Sequence, residues 1–170
     1  MMKNSVRIRA MEPEDLDILY RIENDSLLWG VGATNVPYSR YLLHEYVSNA
    51  TGDIYTDGQV RLIVENADGE VVGIADLVNF DATHRRAEIG IVIEKPHRRK
   101  GYAAETILRV IDYSRRVLHL HQLYAYVDSR NVASVALFTK VGFVHKAELA
   151  DWLYDGVDYH SAFLMQYLLQ

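Results

Sequence analysis

The run Ile89-Gly90-Ile91-Val92-Ile93 constrains this chain more than any other segment. It is apolar at consecutive positions, so both faces of the strand it forms must be covered, and it belongs in the middle of a sheet. Pro96 ends it, and Arg98-Arg99-Lys100-Gly101-Tyr102-Ala103 follows. Ala103, Ile107, Leu108 and Ile111 then recur at helical spacing up to Leu118. A strand, a cationic glycine turn and a helix together aim several backbone N–H groups out of the positive end of the helix, which makes an anion site. Gly101 lets the backbone approach a phosphate closely, and Ala103 is small where a ligand would meet the helix start. The same residues also fit a solvated basic turn that only caps a helix. Neither G-x-x-x-x-G-K-[ST] nor G-x-G-x-x-G occurs, so the standard nucleotide loops are excluded. Gly30-x-Gly32 lacks a preceding strand and reads as a plain loop.

The flanking segments supply the rest of a sheet. Val6, Ile8 and Ala10 alternate with Arg7 and Arg9, as in a strand. Pro13, Glu14 and Asp15 open a helix whose apolar stripe is read as Leu16, Leu19 and Tyr20. Ser39 can cap a second helix carrying Leu42, Leu43, Tyr46 and Val47. Thr51 to Gln59 is polar and glycine-spiked and reads as a loop. Strands follow at 61–65, 71–80 and 86–93, the first two joined by the hairpin turn Asn66-Ala67-Asp68-Gly69. A strand at 123–127, a helix at 132–141 and two closing strands at 143–154 and 159–168 complete the order β-α-α-β-β-β-α-β-α-β-β. Some strands are joined by helical crossovers and others directly, so the sheet should be mixed, in an α/β fold. At 170 residues, with 49% apolar and 24% charged, the chain reads as a single domain over 1–170.

Composition removes several chemistries. With no cysteine there is no disulfide, thiolate zinc site or cysteine acyl-enzyme. Eighteen basic against twenty-three acidic residues leave a net charge of −5, a poor basis for binding nucleic acid. No apolar run reaches the roughly 20 residues of a membrane helix, and no apolar signal segment precedes the first strand, so a cytoplasmic protein is expected. His119-x-His121 would share one side of a strand but lacks a third ligand at zinc-like spacing, so no metal is expected. No G-x-S-x-G elbow is present.

Arg98-x-x-Gly101-x-Ala103 resembles the acetyl-CoA pyrophosphate motif of the GNAT N-acetyltransferases. Asn131 through Lys140-Val141-Gly142-Phe143 resembles the second conserved segment of that family, and the element order matches over nearly the whole chain. His84-Arg85-Arg86-Ala87-Glu88 and the Asp155-Gly156 hairpin look most like the spermidine N-acetyltransferase branch. They look less like the ribosomal-protein N-terminal acetyltransferases. The resemblance implies a GNAT fold with a mixed, mostly antiparallel central sheet flanked by helices. It implies acetyl-CoA as co-substrate, with the pantetheine arm paired to backbone groups at Ile91 and Ile93 like an added strand. The pyrophosphate would lie on the turn formed by Arg98, Arg99, Lys100, Gly101, Tyr102, Ala103 and Ala104, with Arg99 or Lys100 reaching the 3′-phosphate. Asn131 and Lys140 would complete the cofactor site. Asn131 also reads as an ordinary helix N-cap, and both roles can hold.

Acetyl transfer needs a neutral amine, and an alkyl ammonium of pKa near 10.4 is only about 0.1% neutral near pH 7.4. Glu88, at the start of the central strand, is the candidate general base. It could equally hold the cationic substrate, or form a surface pair with Arg85 or Arg86. The family tyrosine that protonates the leaving thiolate is replaced here by Phe138. Tyr126 or Ser129 could substitute, the thiolate could leave unassisted, or the domain could bind a CoA ester without turning it over efficiently. Acceptor residues are expected on the first two helices and their loop: Glu23, Trp29 and Tyr38, with Asp25 and Glu45 nearby and Glu88 beneath. The favoured acceptor is a polyamine, then a peptide N-terminus. The rivals are a CoA-ester-binding sensor and an interaction protein on the same fold. Family members are often dimers or larger, so a homo-oligomer is expected.

Overall fold

The computed structural model describes residues 5–28 and 36–170. Seven strands form one mixed sheet in the order β1-β2-β3-β4-β5-β7-β6. They are β1 (Val6–Ala10), β2 (Val60–Asn66), β3 (Val71–Asp81), β4 (Arg86–Ile93), β5 (Gln122–Asp128), β6 (Val144–Tyr154) and β7 (Tyr159–Leu168). The helices are α1 (Leu16–Glu23), α2 (Arg40–Asn49), α3 (Ile54–Asp57), α4 (Tyr102–Arg116) and α5 (Val132–Lys140). All strand pairs are antiparallel except β4 with β5, which is parallel and joined by the α4 crossover.

Alternation along the strands sorts the side chains into two layers. On one face Val64, Val72, Leu77, Ile89 and Leu123 pack with Ile107, Val110 and Ile111 of α4. On the other face Ile63 and Ile74 meet Ile18 and Ile22 of α1. Each side chain buried this fully contributes about 1.5–3 kcal/mol over its exposed state.

Three local expectations are corrected. Residues 13–15 form a 3-10 turn before α1 starts. The changed winding puts Ile18, Leu19 and Ile22 inward, rather than Leu16 and Tyr20. The polar stretch after Thr51 contains α3, capped when the Asp53 side chain accepts from Tyr55 N, ended by Gly58 at φ +68, and anchored by buried Ile54. Ser39 does cap α2, accepting from Leu42 N at 3.1 Å. His119 and His121 lie before β5 starts, not on it. No group of three potential metal ligands occurs among the described residues.

Candidate active site

The site begins where two central strands separate. Glu94 N donates to Val72 O of β3, and Arg85 O accepts from Gln122 N of β5. Backbone direction alternates along a strand, so the even-numbered groups of β4 face β3 and the odd-numbered ones face β5. Pairing between β4 and β5 runs from Arg86–Gln122 to Glu88–Tyr124. Beyond that rung β4 continues to Ile93 and β5 to Asp128 without pairing. The Ile89 carbonyl and the backbone groups of Ile91 therefore face a gap where a neighbouring strand would be. At Ile93 the carbonyl accepts from Arg98 Nε at 2.8 Å, and the residue is not among those lining the cleft.

A cleft of about 690 Å³ opens at this parting. It gathers Glu23, Tyr38, Glu88, Ile91, Tyr126 and Asn131, six of the residues expected to act together. Trp29 lies outside the described residues. Asp25 instead pairs with Lys95 at 3.4 Å, and Glu45 accepts from the Tyr41 hydroxyl at 2.7 Å. Lys140 is exposed at the end of α5, away from the cleft lining.

Below the cleft, at the start of α4, Arg99 has φ +61 and Gly101 has φ +84. Left-handed backbone at these positions shapes a concave turn of N–H groups. The first N–H groups of α4, at Tyr102, Ala103 and Ala104, have no partner within the helix. Arg99 and Lys100 are exposed and make no ion pair among the described residues. The Arg98 side chain acts locally, its Nε bracing the strand end at Ile93.

Glu88 stands at the last rung before the strands part, half-buried on the face shared with α1 and α2. It does not pair with Arg85 or Arg86: Arg85 donates to the His119 carbonyl, and Arg86 pairs with Asp81 at 3.0 Å. Among the described residues its carboxylate accepts one hydrogen bond, from Asn79 Nδ2 at 2.7 Å. Asn79 reaches it because β3 bulges between Val78 and Asp81, with Asn79 at φ +50. Burial pushes the Glu88 carboxyl above the usual range, and the Asn79 bond works against that rise.

Arg61 emerges only from the structure. Its Nε and Nη2 grip Asp76 at 2.7 and 3.0 Å, and its Nη1 donates to Glu23. Burial disfavours the guanidinium charge, but Asp76 and Glu23 outweigh that and hold it firmly protonated. Glu23 is therefore an ion-paired acid in the cleft wall. Trp152 is the second unforeseen residue, its ring 5.6 Å from Tyr126. An irregularity in β6 between Leu149 and Leu153, with Asp151 at φ +51, lies beside it. Phe138 is 3% exposed and packs edge-on against Phe143 at 5.0 Å, so no hydroxyl stands there. Asn131 Oδ1 accepts from Ser134 N at 3.0 Å, which realises the N-cap role.

An open seam at a central parallel pair, above a nest of helix N–H groups, is the layout expected for a pantetheine-bearing cofactor. Residues 5–144 match the model of the acetyltransferase (GNAT) domain. The chain belongs to the GNAT acetyltransferase family. GNAT enzymes take their acetyl group from acetyl-CoA, and this chain is an N-acetyltransferase of that kind. It is 30% identical over 169 residues to the spermidine N(1)-acetyltransferase of Vibrio cholerae, covering 99% of this chain and 95% of that protein. A crystal structure of the Vibrio cholerae spermidine N-acetyltransferase with CoA and spermine superposes with a TM-score of 0.88 at 28% identity, covering 97% of this chain and 96% of that one. A dodecameric structure of the Vibrio cholerae enzyme gives 0.82 at 29% identity, covering 97% and 94%. These match the spermidine-acetyltransferase likeness drawn from His84–Glu88 and the Asp155-Gly156 turn.

Proposed function

We propose that this GNAT enzyme moves the acetyl group of acetyl-CoA directly to a primary amine of a linear polyamine such as spermidine. The observation that carries the reading is Glu88. It is a half-buried carboxylate without an ion pair among the described residues, at the point where β4 and β5 part. The acids Glu23 and Asp76 across the cleft suit a second cationic nitrogen, although Arg61 offsets part of their charge. Similarity to spermidine acetyltransferases supports the same acceptor class.

In this reading the pantetheine arm lies along Ile89 and Ile91, with Asn131 beside it. The pyrophosphate rests on the N–H groups from Arg99 to Ala104. Glu88 takes a proton from the ammonium. The freed nitrogen attacks the thioester carbonyl carbon, a tetrahedral intermediate forms, and the C–S bond breaks. Nitrogen then loses its second proton to solvent. The thiolate receives a proton from the Tyr126 hydroxyl, which lines the cleft, and Tyr126 is reprotonated from water. No cysteine exists to carry an acyl-enzyme, so the transfer is direct. Homo-oligomeric assembly belongs to this reading. β6 forms one margin of the sheet and leaves Val144, Trp152 and Tyr154 exposed.

Thiol release from acetyl-CoA, measured with spermidine, monoamines and a peptide N-terminus, tests the proposal. Release that is fastest with spermidine supports it. Fastest release with the peptide assigns the other acceptor. Tight acetyl-CoA binding with no release above hydrolysis defeats it in favour of a CoA-ester-binding module, the reading that buried Phe138 favours.

A further inference from the structure

Gly90 is a glycine without a backbone reason. Its φ is outside the left-handed region that six other glycines occupy. Among the described residues, a Cβ built on it would meet Asp76 Cβ alone, at 3.8 Å, which is ordinary contact. Gly73, by contrast, could not carry a Cβ, because it would lie 2.1 Å from the Val92 carbonyl oxygen. Glycine inside a strand costs about 0.5–1 kcal/mol relative to alanine. In a central strand, where a side chain would pack, that cost calls for a compensating use.

The register shows what the missing side chain leaves open. Arg61, Asp76 and Gly90 are cross-strand neighbours in one row. Ile63, Ile74 and Val92 form the row beneath α1, and Val78 with Glu88 forms the row on the opposite side. Gly90 is thus a gap bounded by Glu88 along its own strand and by Asp76 across the ladder. It lines the cleft with both. Diagonal neighbours of the Glu88–Asp76 type lie about 7–8 Å apart. A short alkyl spacer between two nitrogens bridges such a diagonal.

We infer that Gly90 determines acceptor specificity: its missing side chain is the slot for the acceptor's alkyl spacer, between the reacting nitrogen at Glu88 and a second cationic nitrogen directed at Asp76. This deepens the polyamine reading and rests on it. Arg61 then acts as a stop, because it holds both Asp76 oxygens from the β2 side of the row, away from Gly90.

The test measures spermidine binding by calorimetry on the CoA-loaded protein, so it does not depend on turnover. Gly90→Leu fills the slot and should weaken spermidine at least about tenfold, the scale on which pockets respond to added hydrocarbon. Acetyl-CoA affinity should stay unchanged, because the side chain at 90 projects from the face shared with Glu88. Gly90→Ala fits without a clash, keeps or raises the melting temperature, and should weaken spermidine by a smaller factor. It decides the matter should Gly90→Leu not fold. Equal spermidine affinity in wild type and either folded variant overturns the inference, as does no binding to the wild type. Binding that responds to Gly90 without thiol release from the wild type leaves the slot standing and removes only the catalytic reading.

Discussion

Replacing Glu88 with glutamine tests the chemistry most directly. At pH 7.4 an amine of pKa near 10.4 is about 0.1% neutral, so a base can recover at most about a thousandfold. Positioned general bases typically contribute about 10²–10⁴. Glu88 has one donor, Asn79, and no cation among the described residues to hold it as a spectator. Glu88→Gln should therefore lower kcat/KM by about 10²–10³ at pH 7.4. The deficit should narrow about tenfold per pH unit as the neutral amine fraction grows. The acid limb of the wild-type profile follows from the raised carboxyl. Burial favours the protonated form, so activity should appear only above the ordinary glutamate range. Asn79→Gly keeps the left-handed backbone but removes the donor that favours the anion, so this limb should move to higher pH. The assay is steady-state thiol release with spermidine from pH 5 to 10. A Glu88→Gln deficit that stays constant across that range would refute the base assignment. A purely electrostatic hold on the ammonium would raise KM without such convergence.

Three further outcomes are expected. Arg61→Met removes the bidentate partner of Asp76, itself about a fifth exposed, and should cost about 2–4 kcal/mol in denaturant unfolding, somewhat less than for a fully buried pair; an unchanged midpoint would remove Arg61 as the brace of that wall. Gly101→Val places a branched side chain at φ +84, which costs about 1–3 kcal/mol of backbone strain, and should weaken acetyl-CoA in calorimetry; unchanged affinity would mean that the anion site lies elsewhere. Tyr126→Phe should lower kcat with little change in spermidine affinity, and an unchanged kcat would mean that the thiolate leaves unassisted.

Periodicity revealed the sheet and its long helices because burial on one or both faces writes directly into residue order. The cationic turn before α4 was legible because left-handed backbone and close approach both select glycine, as at Gly101. Where periodicity misleads, the cause is local winding. A 3-10 turn over Pro13–Asp15 moved the inward face of α1, and a cap at Asp53 with Gly58 behind it made a helix from a stretch that is polar overall. The Asn79–Glu88 contact depends on a bulge, and Arg61 reaches Glu23 across 38 positions of sequence. Neither leaves a trace in spacing. A strand-facing arginine opposite an aspartate, as at Arg61 and Asp76, becomes visible once the hairpin register at Asn66–Gly69 is set.

The parting of β4 and β5 also bears on how the empty protein behaves. Natural sheets guard their outer margins against stray strands. Here the unpaired backbone, from the Ile89 carbonyl through Ile91, lies inward, between β4 and β5, where only a thin chain with its own amides can enter. In the proposed reading the cofactor arm pairs there as an added strand. Acetyl-CoA and free CoA should accordingly act as folding ligands, raising the melting temperature in proportion to the logarithm of their concentration. The cell's CoA supply would then help set how much of this enzyme stays folded, as well as how fast it works.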